Sequence, residues 1–404
     1  MERRPRDMRK VLIVGGGIAG PVLGMWLKRL GMEVSIAEAR PTAAVGEGAF
    51  LGVAPNGMNA LEPLGVAGAV AAAGTPCEAF QFINRKGDSI GVIDRSEDAS
   101  AFGRPLTMIR RGQLNAILAE EAARQGVEIR WGQRLVAVDE SHPSHVIARF
   151  EDGSESSADI LIGCDGLRSR VRSLILPEAP TPSFTGLLDY GGFAQGVQIP
   201  VPPGINLMLF GRRAFFGAFV TPSGEIWWFH NGAPGNSDLE ALRKNSDPTR
   251  ERERLLELHR EDPPWVSDVI RATPRLLGPW PIYDLHAMPR WHSGRVCLLG
   301  DAAHAMSPSA GQGAALAMED ALVLAQCLRD IDAPSKAFAT FEKARRPRVD
   351  AIFRAARRNG SGKAVNSALS EWFRDRMLPF FLRLGASGQS KMYSYRLEWD
   401  QSRA

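Results

Sequence analysis

The sequence predicts an α/β fold: a Rossmann-like dinucleotide-binding domain marked by GxGxxG, interleaved with a mostly antiparallel β-sheet domain, plus C-terminal helices. Three observations predict it. Val11-Leu12-Ile13-Val14 runs directly into Gly15-Gly16-Gly17-Ile18-Ala19-Gly20 and a helical stretch through Leu30, and the next apolar run ends at Glu38. Residues 296–322 repeat that order, with an apolar run, a Gly/Pro/Ser loop and a helical pattern from Gly313. Between them, residues 176–285 turn to short aromatic runs separated by Pro/Gly turns.

The first unit carries its own chemistry. Gly15 permits a tight turn, Gly17 lets the backbone approach a pyrophosphate, and Gly20 lets the helix pack close to the strand. Pro21 falls in the first helical turn, where a missing N–H costs little. Glu38 ends the second strand, placed to accept hydrogen bonds from ribose hydroxyls of an adenine dinucleotide. The 296–322 stretch presents free N–H groups and a positive dipole end above its loop, which suits an anionic or electron-rich ligand.

Further along, Gly46–Gly52 reads as a backbone-exposed loop, Pro55-Asn56-Gly57 opens a helix containing Leu61, and residues 76–95 read as strands around Lys86-Gly87-Asp88. A helix over 112–125 follows, then strands at 127–131, 134–138 and 145–150. Asp159–Gly163 is a third buried run entering an acidic turn, Asp165-Gly166, with Ser169 as a capping residue. The runs 205–210 and 215–220 suggest a hairpin, and residues 335–358 and 365–384 read as helices. These boundaries divide the chain into a discontinuous dinucleotide domain (8–75, 101–175 and 286–334), a substrate domain (76–100 and 176–285) and a C-terminal helical segment (335–404). The aromatic face of the second domain is expected to line a hydrophobic pocket.

Composition excludes several classes. With 404 residues, 44% hydrophobic and 23% charged, the chain is neither disordered nor a membrane bundle. A net charge of +4 gives no basic stripe, and the clusters Arg345, Arg346, Arg348 and Arg357-Arg358 read as solvated helix faces, so nucleic-acid binding is not expected. The four cysteines are far apart and read as reduced core residues. His142 and His145 have no carboxylate or Cys beside them, so no metal is expected. The basic start followed by apolar residues 11–23 imitates a secretory signal, but the glycines argue for a nucleotide loop and a cytoplasmic protein. The Met377–Leu382 run is too short to span a bilayer and contains Pro379.

Three motifs in order, Gly15-x-Gly17-x-x-Gly20, Asp165-Gly166-x-x-Ser169-x-x-Arg172, and Gly300-Asp301 leading to Pro308-x-x-Gly311-Gln312-Gly313, resemble the group A FAD-dependent monooxygenases of the para-hydroxybenzoate hydroxylase fold. Pro55-Asn56-Gly57 and the lack of a long thioredoxin-like extension look most like the shorter branch with salicylate hydroxylase and tetracycline-inactivating monooxygenases. The resemblance implies FAD as cofactor, with Gly15, Gly17, Ile18, Ala19 and Gly20 on its dinucleotide part, Glu38, Ala39 and Arg40 at the adenosine ribose, and Arg111 on the dinucleotide or flavin side. Asp165 would lie near the pyrophosphate and Gly300-Asp301 on the ribityl chain, with Pro308, Gly311, Gln312, Gly313 and Ala314 beside the ring. The family often has Asn after the Gly-Gln-Gly run, where Ala314-Ala315 stand here.

The same resemblance implies NAD(P)H as electron donor, dioxygen captured as a C4a-hydroperoxyflavin, and hydroxylation or epoxidation of an aromatic or polyketide-like molecule. No Ser-His-Asp, paired-carboxylate or metal signature is needed, because the cofactor carries the chemistry. His230 and Tyr190 are candidates for a base that deprotonates a phenol. Alternatives are another FAD-dependent oxidoreductase or a flavin-holding protein without catalysis. A halogenase would carry Trp-x-Trp-x-Ile-Pro, which Trp227-Trp228-Phe229-His230 does not match. A monomer or homodimer is expected.

Overall fold

The computed structural model describes residues 9–43, 46, 48–235, 247–361, 375–378 and 388–403. Lys10–Val14 lies inside a six-stranded sheet in the order 292–293, 296–298, 160–163, 10–14, 33–38, 128–131, parallel except at its 292–293 edge. Val11, Leu12 and Ile13 are buried, as a strand covered on both faces requires. Strands 33–38 and 160–163 flank Lys10–Val14 on opposite sides, so a crevice opens where that strand ends. There Gly15 has φ +109°, and a Cβ on it would lie 2.4 Å from the Cys164 carbonyl oxygen. Gly20, in the helix Ala19–Arg29, would place a Cβ 2.0 Å from the Gly15 carbonyl oxygen. Neither position tolerates a side chain.

The seven-stranded sheet runs 277–284, 183–194, 226–232, 214–220, 205–210, 79–84, 89–94. All its pairs are antiparallel except 205–210 with 79–84, and Ile205–Phe210 and Ala214–Val220 form the expected hairpin. Its register sends alternate rows to opposite faces. Tyr190, His230, Phe216 and Leu209 share one row. Leu209 and Phe216 pack there with Leu255, Val266, Val269 and Ile270 of the helices Pro248–Leu258 and Pro264–Arg271. Sequence reasoning did not predict these helices, because Pro248–Leu258 is dominated by Arg and Glu. The opposite face carries Asp189, Asn231 and Phe215 in one row and Phe193, Trp227, Phe219 and Asn206 in another. It meets the small sheet of Phe50–Val53, Thr107–Arg110 and Thr75–Pro76, with Phe50 and Trp227 ring centres 5.6 Å apart.

The helix Pro334–Ser361 corrects one expectation. Arg345 is not on a solvated face: it is fully buried, donating from Nη2 to Glu319 and from Nε to Asp320, each at 2.6 Å. Arg348 adds two hydrogen bonds to Glu319, at 2.6 and 2.7 Å. Two carboxylates buried in the helix Gly313–Asp330 therefore set where this helix must lie. Beyond it Trp399 stacks on Trp26 with ring centres 4.5 Å apart. The helix expected over 365–384 falls outside the described residues except for a turn at 375–378. All four cysteines are buried and outside any disulfide.

Candidate active site

A cleft of about 2480 Å³ runs from the Gly15–Gly20 turn, past the 301–314 loop, to the second face of the seven-stranded sheet. Of the cofactor residues named from sequence, all but Gly20 and Gly300 line it. Those two act on the backbone: Gly300 takes φ +62° between strand Val296–Leu298 and the turn Asp301–His304. Gly17 differs from Gly15 and Gly20 in that a Cβ there would meet nothing within 4 Å. The space above it is left open by the protein.

Glu38 is buried at the end of its strand. Its Oε2 accepts from the Gly16 N–H at 2.6 Å, and its Oε1 from the backbone and Nε of Arg40 at 2.9 and 3.0 Å. Burial pushes its carboxyl up, but hydrogen bonds from Arg40 and Gly16 outweigh that and hold it below the usual carboxylate range. The glycine turn is braced from the other side by Asn115, whose Nδ2 donates to the carbonyl oxygens of Gly16 and Gly17. Sequence reasoning missed Asn115, although an Asn beside Leu114 on the buried face of the Arg111–Arg124 helix was a visible signal. Arg111 opens that helix, exposed on the cleft wall.

Asp165 turns part of its carboxylate inward. It accepts from Ser169 Oγ at 2.5 Å and from the N–H groups of Arg170 and Val171 at 2.7 and 3.0 Å. Burial raises its pKa against those bonds. Ser169 caps the helix Arg170–Ile175 by accepting from the Arg172 N–H. Buried Arg172 donates to the carbonyls of Leu167 and Ala302, tying this turn to the third motif.

In the third motif Asp301 is exposed to the cleft and makes no capping bond; Gly300, not the carboxylate, is the N-cap of its short helix. The Gly313–Asp330 helix likewise has no side-chain cap, so its first N–H groups face the cleft beside Asp301. Gln312 departs from expectation. Its side chain is buried, Oε1 accepting from Asn56 Nδ2 at 3.0 Å while Asn56 also donates to Glu319 at 2.7 Å, and its Nε2 has no partner among the described residues. Ala315 has a packing reason: a Cβ on Gly57 would lie 2.9 Å from it, leaving no room for a larger pair.

Both candidate bases are already hydrogen-bonded to the covering helices. His230 is buried on the helix-covered face, its Nδ1 hydrogen-bonded to His259 Nε2 at 2.8 Å, and burial first, then the nearby His259 and Arg254 charges, push its pKa well below the usual histidine value. The Tyr190 hydroxyl donates to Glu251 at 2.5 Å, and burial together with that carboxylate raises its pKa. Both polar groups are engaged on the helix-covered face, because even and odd positions of one strand face opposite ways. Tyr190 still borders the cleft beside Asp189, whereas His230 does not and its neighbour Asn231 does.

The family model described as FAD binding domain matches residues 8–356, nearly the whole of both sheets and the cleft between them. The chain belongs to the FAD binding domain family. Among its relatives in that family, aurachin C monooxygenase/isomerase of Stigmatella aurantiaca is 31% identical over 370 residues, covering 91% of this chain and 93% of the relative. The 6-hydroxynicotinate 3-monooxygenase of Pseudomonas fluorescens is 30% identical over 376 residues, covering 89% and 92%. In fold, the chain is similar to Klebsiella pneumoniae HpxO complexed with FAD and uric acid, with TM-score 0.84, 24% identity and coverage of 95% and 96%. The FAD binding domain family supplies the cofactor and the reaction class: this chain is an FAD-dependent oxidoreductase of the monooxygenase kind. Among the described residues no helix is long and apolar enough to cross a membrane.

Proposed function

We propose that the protein is an NAD(P)H-consuming monooxygenase that inserts one oxygen atom from dioxygen into an aromatic or polyketide-like small molecule. One observation carries the reading: a single cleft joins the glycine turn, the uncapped Gly313 helix and an aromatic sheet face. The residues fit FAD. Gly17 leaves room that a Cβ would fill, and Asp301 stands exposed beside free helix N–H groups. Gly15 to Gly20 would hold the pyrophosphate and Glu38 the adenosine ribose, with Ala39, Arg40 and Arg111 alongside. Asp301 would hold the ribityl chain, and the backbone from Pro308 to Ala314 the ring edge. FAD, when bound, supplies electron transfer from NAD(P)H and the activation of dioxygen.

The chain's own contribution is placement and field. The first N–H groups of the Gly313 helix favour negative charge on whatever they face. The wall of Phe82, Phe215 and Phe229, filled out by Met208, excludes water and stacks a flat substrate. We assign residues 76–100 and 176–285 to this substrate-holding part and the remainder up to 334 to the cofactor part. Within this reading the protein works in the cytoplasm as a monomer or homodimer.

The test is anaerobic mixing of the purified flavoprotein with NADPH or NADH, with and without phenols and polycyclic aromatics, followed by aerobic turnover and mass spectrometry. Substrate-stimulated bleaching of the flavin and a product heavier by one oxygen are expected. Bleaching without any oxygenated product, across the panel, overturns the monooxygenase reading in favour of a reductase.

A further inference from the structure

Two acceptors on the sheet face that lines the cleft stand without a donor, while the nearby Arg110 and Trp227 donors are taken up by Glu225. Arg110 donates to both oxygens of Glu225 at 2.7 and 2.6 Å, and Trp227 Nε1 donates to Glu225 Oε2 at 2.7 Å. The amide oxygens of Asn231 and Asn206, by contrast, are buried with no hydrogen-bond partner among the described residues. Both residues are more than nine-tenths buried and both line the cleft. A buried carbonyl oxygen without a donor is unfavourable, and a ligand N–H or O–H placed against it removes that penalty.

Asn231 is the better defined of the two. Its Nδ2 donates to Asp189 Oδ1 on the neighbouring strand, where the two residues are direct cross-strand partners. That bond fixes the amide: turning it over would set the carbonyl oxygen against a carboxylate. The oxygen is therefore committed as an acceptor. Around it lies aromatic surface, since Phe215 is the cross-strand partner on the other side and its ring centre is 6.0 Å from that of Phe229.

We propose that Asn231 is a specificity-determining residue, its Oδ1 accepting a hydrogen bond from an O–H or N–H group carried on the aromatic ring of the substrate, with Asp189 as the positioning residue that orients it. This rests on the monooxygenase reading and assigns to one residue the discrimination of free ring O–H or N–H groups from their O- or N-methylated forms. Selection arises because a methyl ether can neither satisfy the amide oxygen nor avoid covering it.

The experiment uses the FAD-loaded full chain and a matched pair of probes, 2-naphthol and 2-methoxynaphthalene, with dissociation constants read from perturbation of the flavin absorbance. The wild-type protein is expected to prefer 2-naphthol by about tenfold, the scale of one net hydrogen bond. Asn231→Leu is expected to reduce the preference to about twofold or less, and Asp189→Ala to weaken it while leaving the amide in place. FAD content and flavin reduction by NADPH are recorded for each protein. Loss of both in the wild type overturns the monooxygenase reading. Normal flavin behaviour with equal affinities in the wild type, no binding of either probe, or an undiminished preference in Asn231→Leu overturns the role of Asn231 alone.

Discussion

Asn115 donates from one nitrogen to two consecutive carbonyl oxygens, those of Gly16 and Gly17, at 2.7 and 2.8 Å. A glycine turn owes its use to backbone freedom, and freedom is also what makes it costly to hold in one shape. Asn115 restrains the turn before a ligand arrives.

Replacing Asn115 with Ala is therefore expected to weaken FAD binding by about 1–3 kcal/mol, through two carbonyl oxygens left without their donor. Asn115→Asp should weaken it further, because a carboxylate would face those oxygens. Flavin fluorescence titration of the apoprotein measures both, and an unchanged dissociation constant in the Ala variant removes Asn115 from the account.

Asp301 provides the opposite case. It makes no capping bond and lies exposed to the cleft. Asp301→Ala should leave the unfolding free energy of the apoprotein within about 0.5 kcal/mol of wild type, while the purified protein retains little FAD. A large fall in apoprotein stability would mean that the carboxylate serves the fold.

The Glu319–Arg345 pair is fully buried, with its hydrogen-bonding atoms 2.6 Å apart. Arg345→Met leaves buried Asp320 without its arginine, while Glu319 keeps Arg348, and a loss of about 3–5 kcal/mol is expected in urea unfolding. Glu319→Gln should cost less, since the amide still accepts from Arg345 and Arg348.

His230 gives a pH prediction. Burial holds its folded pKa well below the ordinary value of 6.5, so in acid the unfolded chain binds a proton that the folded chain does not. Its contribution to stability is complete above that ordinary value and is lost as pH falls below it, at up to about 1.4 kcal/mol per pH unit. Equilibrium unfolding between neutral and mildly acidic pH should show this slope in the wild type and a shallower one in His230→Gln.

What could be read from sequence follows from where each constraint resides. The Gly15–Gly20 turn and its flanking strands are legible because sterics at fixed spacing demand them. Gly15 and Gly20 have no room for a Cβ, whereas Gly17 has room that the protein does not fill. Arg345 was misread because its partners lie 25 and 26 residues away on another helix, and nothing local distinguishes it from solvated Arg357. The partners of His230 and Tyr190 are hidden in the sequence for a different reason. Alternation along a strand shows that two faces exist but not which one is roofed by helices, and the roof at 248–271 had no clear apolar pattern. Asn231, one position away, inherits the cleft instead.

The C-terminal part of the chain also bears on how the protein is made. Glu319 and Asp320 receive their counter-charges from Arg345 and Arg348, and Trp26 in the first helix receives its stacking partner from Trp399. On the ribosome the glycine turn emerges first, yet Glu319 and Asp320 lack their arginine partners until residues 345 and 348 have been synthesised, and Trp26 lacks its stacking partner until residue 399. A nascent chain stalled at residue 334 would contain all three nucleotide motifs and still lack both arginines.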